Sequence, residues 1–126
     1  MPLPSNSCVI CGAGPVQGHH AAGRTYDEEL VVDLCASHHQ LIHDDLADAG
    51  CDLRHGQPWT RLEVIAHGLR CVGVLIARLA DAWDADWLMG LSNYLIRMAE
   101  DIAKEVRAMD RHHPGWREAC KGEGDA

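Results

Sequence analysis

The sequence predicts an α+β protein that is mostly helical, with a small N-terminal metal-binding module followed by a long antiparallel helical hairpin. Three observations carry this. Eight cysteine and histidine side chains fall within the first 43 residues: Cys8, Cys11, His19, His20, Cys35, His38, His39 and His43. A capping sequence, Thr60-Arg61-Leu62-Glu63, opens a long apolar repeat. A second apolar stretch in matching register follows after the short break Asp81 to Asp86.

In chain order, residues 1–7 read as a polar lead-in containing Pro2 and Pro4. Cys8-Val9-Ile10-Cys11-Gly12-Ala13-Gly14 reads as a tight turn of the zinc-knuckle type, its glycines giving the backbone room around an ion. Residues 16–22 predict a short strand carrying His19 and His20, residues 23–29 a polar loop, and Leu30-Val31-Val32-Asp33-Leu34 a second strand. A helix then starts near Ser37 and runs to about Ala49, closed by Gly50. His39 and His43 lie four apart on it and share a face. This gives a module over residues 1–50 and a linker over 51–59 with Gly56 and Pro58.

The hairpin is expected over 60–112. Leu62, Ile65, Leu69, Val72, Ile76, Leu79 and Trp83 are spaced 3-4-3-4-3-4, and Leu88, Leu91, Leu95, Met98, Ile102 and Met109 fit the same register with Glu105 as a mismatch. The break between them admits only a tight turn, with Asp84 as cap of the second helix. Such a seam reads as packing rather than a ligand groove. A lone two-helix hairpin buries too little, so its apolar face is expected to dock on the module, pair with another copy, or both; a homodimer through helices 60–110 is the preferred reading. Cys71, inside the apolar pattern, reads as a small buried hydrophobe. Residues 113–126, with Pro114, Gly115, Gly122 and Gly124, read as a flexible tail.

The bulk numbers bound the function. At 126 residues one compact domain, or a module plus an extension, is expected. No apolar run reaches membrane-spanning length and no signal core is recognisable, so no membrane partner and a cytoplasmic location are expected. In that setting a two-residue gap between cysteines points to metal rather than to disulfides. The formal charge is −8, and residues 1–50 hold only Arg24 against Asp27, Glu28, Glu29, Asp33, Asp44, Asp45 and Asp48. Nucleic-acid affinity depends on cations that neutralise phosphates, so this segment needs bound metal to offset its charge.

A two-residue gap lets one turn present two ligands to one ion. Cys8 and Cys11 make one such pair, and Cys35 with His38 makes another. Together they predict a Cys3His structural zinc site. Spacing alone leaves the fourth ligand open between the adjacent His38 and His39. A module of about 45 residues rarely holds a sufficient core, and zinc binding supplies the missing folding free energy.

The order of pieces, CxxC, then His19-His20 on a strand, then Leu34-Cys35-Ala36-Ser37-His38-His39-Gln40-Leu41-Ile42-His43 leading into a helix, resembles the HNH endonucleases of the ββα-metal class, in the subgroup with a zinc knuckle. His19-His20-Ala21-Ala22-Gly23-Arg24 is similar to the small, often phage-associated versions. The resemblance covers roughly residues 8–46. It implies that His19, His39 and His43 hold a catalytic divalent cation (Mg²⁺, Mn²⁺ or Zn²⁺), that His20 is the general base, and that Cys8, Cys11, Cys35 and His38 hold structural Zn²⁺. Arg24 would reach a phosphate. The family's middle Asn is missing; Leu30 stands near that place, beside Glu28 and Glu29.

The expectation is therefore a metal-dependent endonuclease acting on DNA as a homodimer, of a phage or mobile element. Imidazoles titrate near neutral pH and suit the base role, and one divalent ion can stabilise the charge on phosphorus and on the leaving oxygen. The alternative is a non-catalytic zinc-binding interaction or regulatory module that retains the scaffold, which the acidic balance and the missing Asn favour. A zinc-knuckle transcription regulator would need a basic recognition helix, and none is evident. Arg97, Lys104, Arg107 and Arg111 lie on roughly one face of the second hairpin helix, either as a backbone-binding stripe or as a solvated helix face, the latter preferred because Glu100 and Lys104 form an ordinary i,i+4 pair.

Overall fold

The computed structural model of the chain describes residues 7–23, 29–51 and 59–119. Its elements run β1 (Val16–His20), β2 (Val31–Cys35), α1 (Ala36–Asp48), α2 (Arg61–Trp83) and α3 (Asp86–His112). The mostly helical α+β architecture is the expected one.

The two strands pair antiparallel, with Val16 opposite Cys35 and His20 opposite Val31. The Ala21 N–H donates to the Leu30 carbonyl at 3.0 Å, one step beyond the His20–Val31 pair in the same register. Strand alternation puts Gln17 and His19 on one face, together with Val32 and Leu34 of the partner strand. Leu34 is fully buried, as is Ile42 of α1, and Leu46 lies beside them in one core cluster. Helix α1 therefore covers the His19 face. It follows β2 without a loop, Cys35 serving as its N-cap in extended conformation. Gly50 follows the helix at φ +83°, a conformation that a side chain disfavours.

Helix α2 opens on the expected capping box: the Glu63 N–H donates to Thr60 Oγ1 at 3.4 Å, and the Thr60 N–H donates to Glu63 Oε1 at 3.2 Å. Its Cys71, Val74 and Leu75 join the same cluster as Ile10, Leu34, Ile42 and Leu46, so module and hairpin share one core. Arg78 reinforces this join by donating to both carboxylate oxygens of Asp45, at 2.5 and 2.8 Å. Gly23 sits at φ +80° against α2, and a Cβ there would meet the His67 ring at 2.8 Å. The chain leaving the His19-His20 strand is thus pressed onto the hairpin.

Two sequence expectations are corrected. Asp84 does not cap the second hairpin helix; it ends the first, in left-handed conformation at φ 51°, and Ala85 is the N-cap of α3. The contact between the two helices, which buries Leu88 of the repeat, is close at Gly73: a Cβ there would lie 2.8 Å from Ile96, and Ser92 donates its hydroxyl to the Gly73 carbonyl at 2.7 Å. Residues 113–119, read as the start of a flexible tail, are held on the hairpin: Trp116 is buried, its indole N–H donates to Asp110 at 2.9 Å, and Arg117 donates to Asp110 and Glu63. Cys71 is buried as expected.

Gly73→Val should wedge the helices apart and cost about 1–3 kcal/mol, the usual cost of overpacking, read as a lower denaturant midpoint with unchanged zinc content. An unshifted midpoint would mean that the close crossing at Gly73 does not exist.

Candidate metal centre

The strand-to-helix junction brings two sets of ligands together. In the first, the ligand atoms of Cys8, Cys11, Cys35 and His38 all lie within 4.8 Å of one another. The Cys11 and Cys35 sulfurs are 3.8 Å apart, and His38 Nδ1 lies 3.3 Å from Cys35 Sγ and 3.6 Å from Cys8 Sγ. A tetrahedral zinc with Zn–S of about 2.3 Å and Zn–N of about 2.0–2.1 Å has S–S edges of about 3.8 Å and S–N edges of about 3.6 Å. The four side chains fit such an ion, with His38 and not His39 grouped with the three sulfurs.

The knuckle backbone is shaped for thiolates. The Gly12 N–H donates to the Cys8 carbonyl at 2.8 Å, with Gly12 at φ +79°. Burial alone would push the Cys8 thiol up, but backbone N–H groups at Cys35, Cys11 and Ile10, with His38, bring it down to about 6. Cys11 goes the other way: the Ala13 backbone lowers it, but desolvation and the neighbouring Cys8 and Cys35 sulfurs raise it more. Crowded sulfurs of this kind share negative charge well only around a cation.

The second set is His19 on β1 with His39 and His43 on α1, their ligand atoms also mutually within 4.8 Å. Ring centroids are 5.4 Å apart for His19–His39, 5.7 Å for His19–His43 and 4.6 Å for His39–His43. His19 is buried, and its Nε2 has no hydrogen-bond partner among the described residues. A buried polar atom is ordinarily paired, so an unpaired one facing two more imidazoles fits a metal ligand. Burial first, then the charges of His39, His43 and His20, hold the His19 ring down at about 4, and burial followed by His43 lowers His39. Neutral imidazoles are the form that binds metal.

His39 Nδ1 lies 2.7 Å from Gln17 Oε1. Gln17 accepts only from an Nδ1–H, so this contact leaves His39 Nε2 as the ligand atom. Gln17 was not singled out from sequence. Its signal was its place two residues before His19, on the same strand face.

The remaining expected site residues are distributed as follows. His20 is next to His19 in the strand but outside the three-imidazole group, its side chain turned to the other sheet face by alternation. Arg24 lies outside the described residues. Arg97, Lys104, Arg107 and Arg111 are exposed on one side of α3 with Glu100 among them, on a different element from those holding the imidazoles. No helix among the described residues is long and apolar enough to cross a membrane. No protein-family model matches the chain, and no curated protein or solved structure matches it.

Removing a ligand should cost both zinc and folding. Cys35→Ser or His38→Ala should bind less than one equivalent by elemental analysis and lose helicity, and a strong chelator should unfold the wild type. A chelated chain that keeps its circular dichroism would contradict a folding role for the ion. With the imidazole set free of metal, NMR titration should place the His19 midpoint near 4 and that of His39 below the usual 6.5. A His19 midpoint at or above 6.5 would mean that the ring is not enclosed by its neighbours.

Proposed function

We propose that the chain is a metal-dependent endonuclease of the HNH type, hydrolysing DNA phosphodiester bonds. The observation that carries this reading is the convergence of His19, His39 and His43 on one position, with His20 adjacent in the strand, beside a Cys3His cluster able to hold structural zinc. In this reading a divalent ion among the three imidazoles supplies Lewis-acid stabilisation of the charge developing on phosphorus and on the departing oxygen. The protein's own part is positional and acid–base. Gln17 fixes the tautomer of His39. The base role that the resemblance gives His20, taking the proton of the attacking water, falls to a residue beside the three-imidazole group and not within it. Arg24, the one basic residue in the first 50, is the candidate for the phosphate contact and would offset part of the acidic charge of that segment. A donor set made only of imidazoles suits Zn²⁺ or Ni²⁺ better than Mg²⁺, which prefers oxygen.

The formal charge of −8 supports a second reading, a non-catalytic zinc-binding interaction module. Plasmid nicking separates the two. Wild type is assayed with Mg²⁺, Mn²⁺, Ni²⁺ or Zn²⁺ beside His20→Ala. Loss of general-base help typically costs about 10²–10⁴-fold, and the variant should show that loss while retaining its structural zinc. Equal and negligible cleavage by both proteins with every metal would favour the interaction module.

A further inference from the structure

We propose that the free apolar face of the hairpin is covered by a second copy of this chain, giving a two-fold dimer with a four-helix core. The proposal rests on the packing of α2 and α3 and is independent of the nuclease reading.

The contact line of α3 against α2 is marked by Leu88, Ser92, Ala99 and Val106, all buried. At about 100° per residue the apolar repeat Leu91, Leu95, Met98 and Ile102 is rotated from that line by about 70°. On α2 the contact line is Ala66, Gly73 and Ala80. Its apolar repeat, Ile65, Leu69, Val72 and Ile76, is rotated by about 70° in the same sense. Equal rotation on two antiparallel helices leads to the same side of the pair. The opposite rotation leads to the other side, where Glu63, His67 and Arg70 of α2 line one groove together with Ala103, Arg107 and Asp110 of α3. Cys71, Val74 and Arg78 meet the metal module on that groove side of α2. Ile65, Leu69, Val72 and Ile76 of α2 and Leu91, Leu95, Met98 and Ile102 of α3 therefore lie on the side turned away from the module, while Leu79 packs against the module's core and Leu88 lies in the contact between the helices. Ile65, Leu91 and Met98 are exposed there, and three large aromatics flank the face at the hairpin tip: Trp83, Trp87 and Tyr94, 51%, 72% and 62% exposed.

Three features select a second copy as the occupant. No charged residue interrupts the two repeats between Leu62 and Ile102, so a nucleic acid or a charged peptide finds nothing to pair with. Both helices carry the same 3-4 register on one face, which is what a self-complementary two-fold bundle requires. The area also suffices: helices of 23 and 27 residues give a face about 35 Å long and about 19 Å wide, or roughly 1,300 Å² over two copies, within the range of stable interfaces. The two metal modules would then sit on the outer sides of the particle.

Light scattering on the full zinc-loaded chain tests this. The expected mass is twice the 13.8 kDa of one chain. Leu91→Glu with Met98→Glu should give single-chain mass with helicity and zinc content retained, and Trp87→Lys with Tyr94→Lys should do the same through the most exposed positions. Lys104→Glu, on the far side of α3, should remain double. A wild type at single-chain mass overturns the proposal, including one that instead partitions onto anionic lipid vesicles. A double mass that survives in both folded double variants overturns it as well.

Discussion

His38 and His39 are consecutive residues of the first turn of α1, and each serves a different set of ligands. Successive helical side chains diverge by about 100°, so one imidazole turns to the three sulfurs while the other turns to His19 of β1. This divergence is the constraint on which the rest of the module depends. The Cys35–His38 pair fixes where β2 ends and α1 begins, and the Cys8–Cys11 turn is then tied to that point. Slipping the junction by one residue would exchange the two imidazoles and break both sets. A strand slip of one residue would likewise turn His19 away from α1.

The module's small size explains why it leans on its neighbours. Its own buried apolar residues are few, and the cluster becomes continuous only with Cys71, Val74 and Leu75 of α2. Arg78–Asp45 and the seat of Gly23 against His67 hold the same join from two sides. At the distal end Glu63 caps α2 and accepts from Arg117, so the segment after α3 is fastened to the start of the hairpin. The acidic surface is best understood beside the ligands: two cations in the module would add positive charge where the sequence itself supplies little.

Much of this was legible from residue order. Both CxxC and CxxH spacings, the His39–His43 pair and the Thr60–Glu63 box depend on contacts between residues three or four apart, and local geometry dictates those. What the sequence left open was tertiary. The choice of His38 over His39 needed the positions of three sulfurs from two other segments. Gln17 is an ordinary polar strand residue until His39 of α1 is seen packed over it. The 3-4 repeat identified both helices but not their mutual face, because Gly73 and Ser92 favour a close crossing that a count of large apolar residues does not weigh. Asp84 looked like a cap for the following helix because aspartate serves that role often, yet the tight turn demanded a left-handed residue first. Trp116 and Arg117 sat among glycines and a proline that read as a tail; their partners, Asp110 and Glu63, lie six and 54 positions away.

The strand–helix junction is built to hold one ion between three sulfurs and one imidazole. X-ray absorption on protein carrying a single equivalent of zinc measures this directly. The expected coordination is three sulfurs at about 2.3 Å and one nitrogen at about 2.0 Å. A shell of nitrogen and oxygen alone would contradict it.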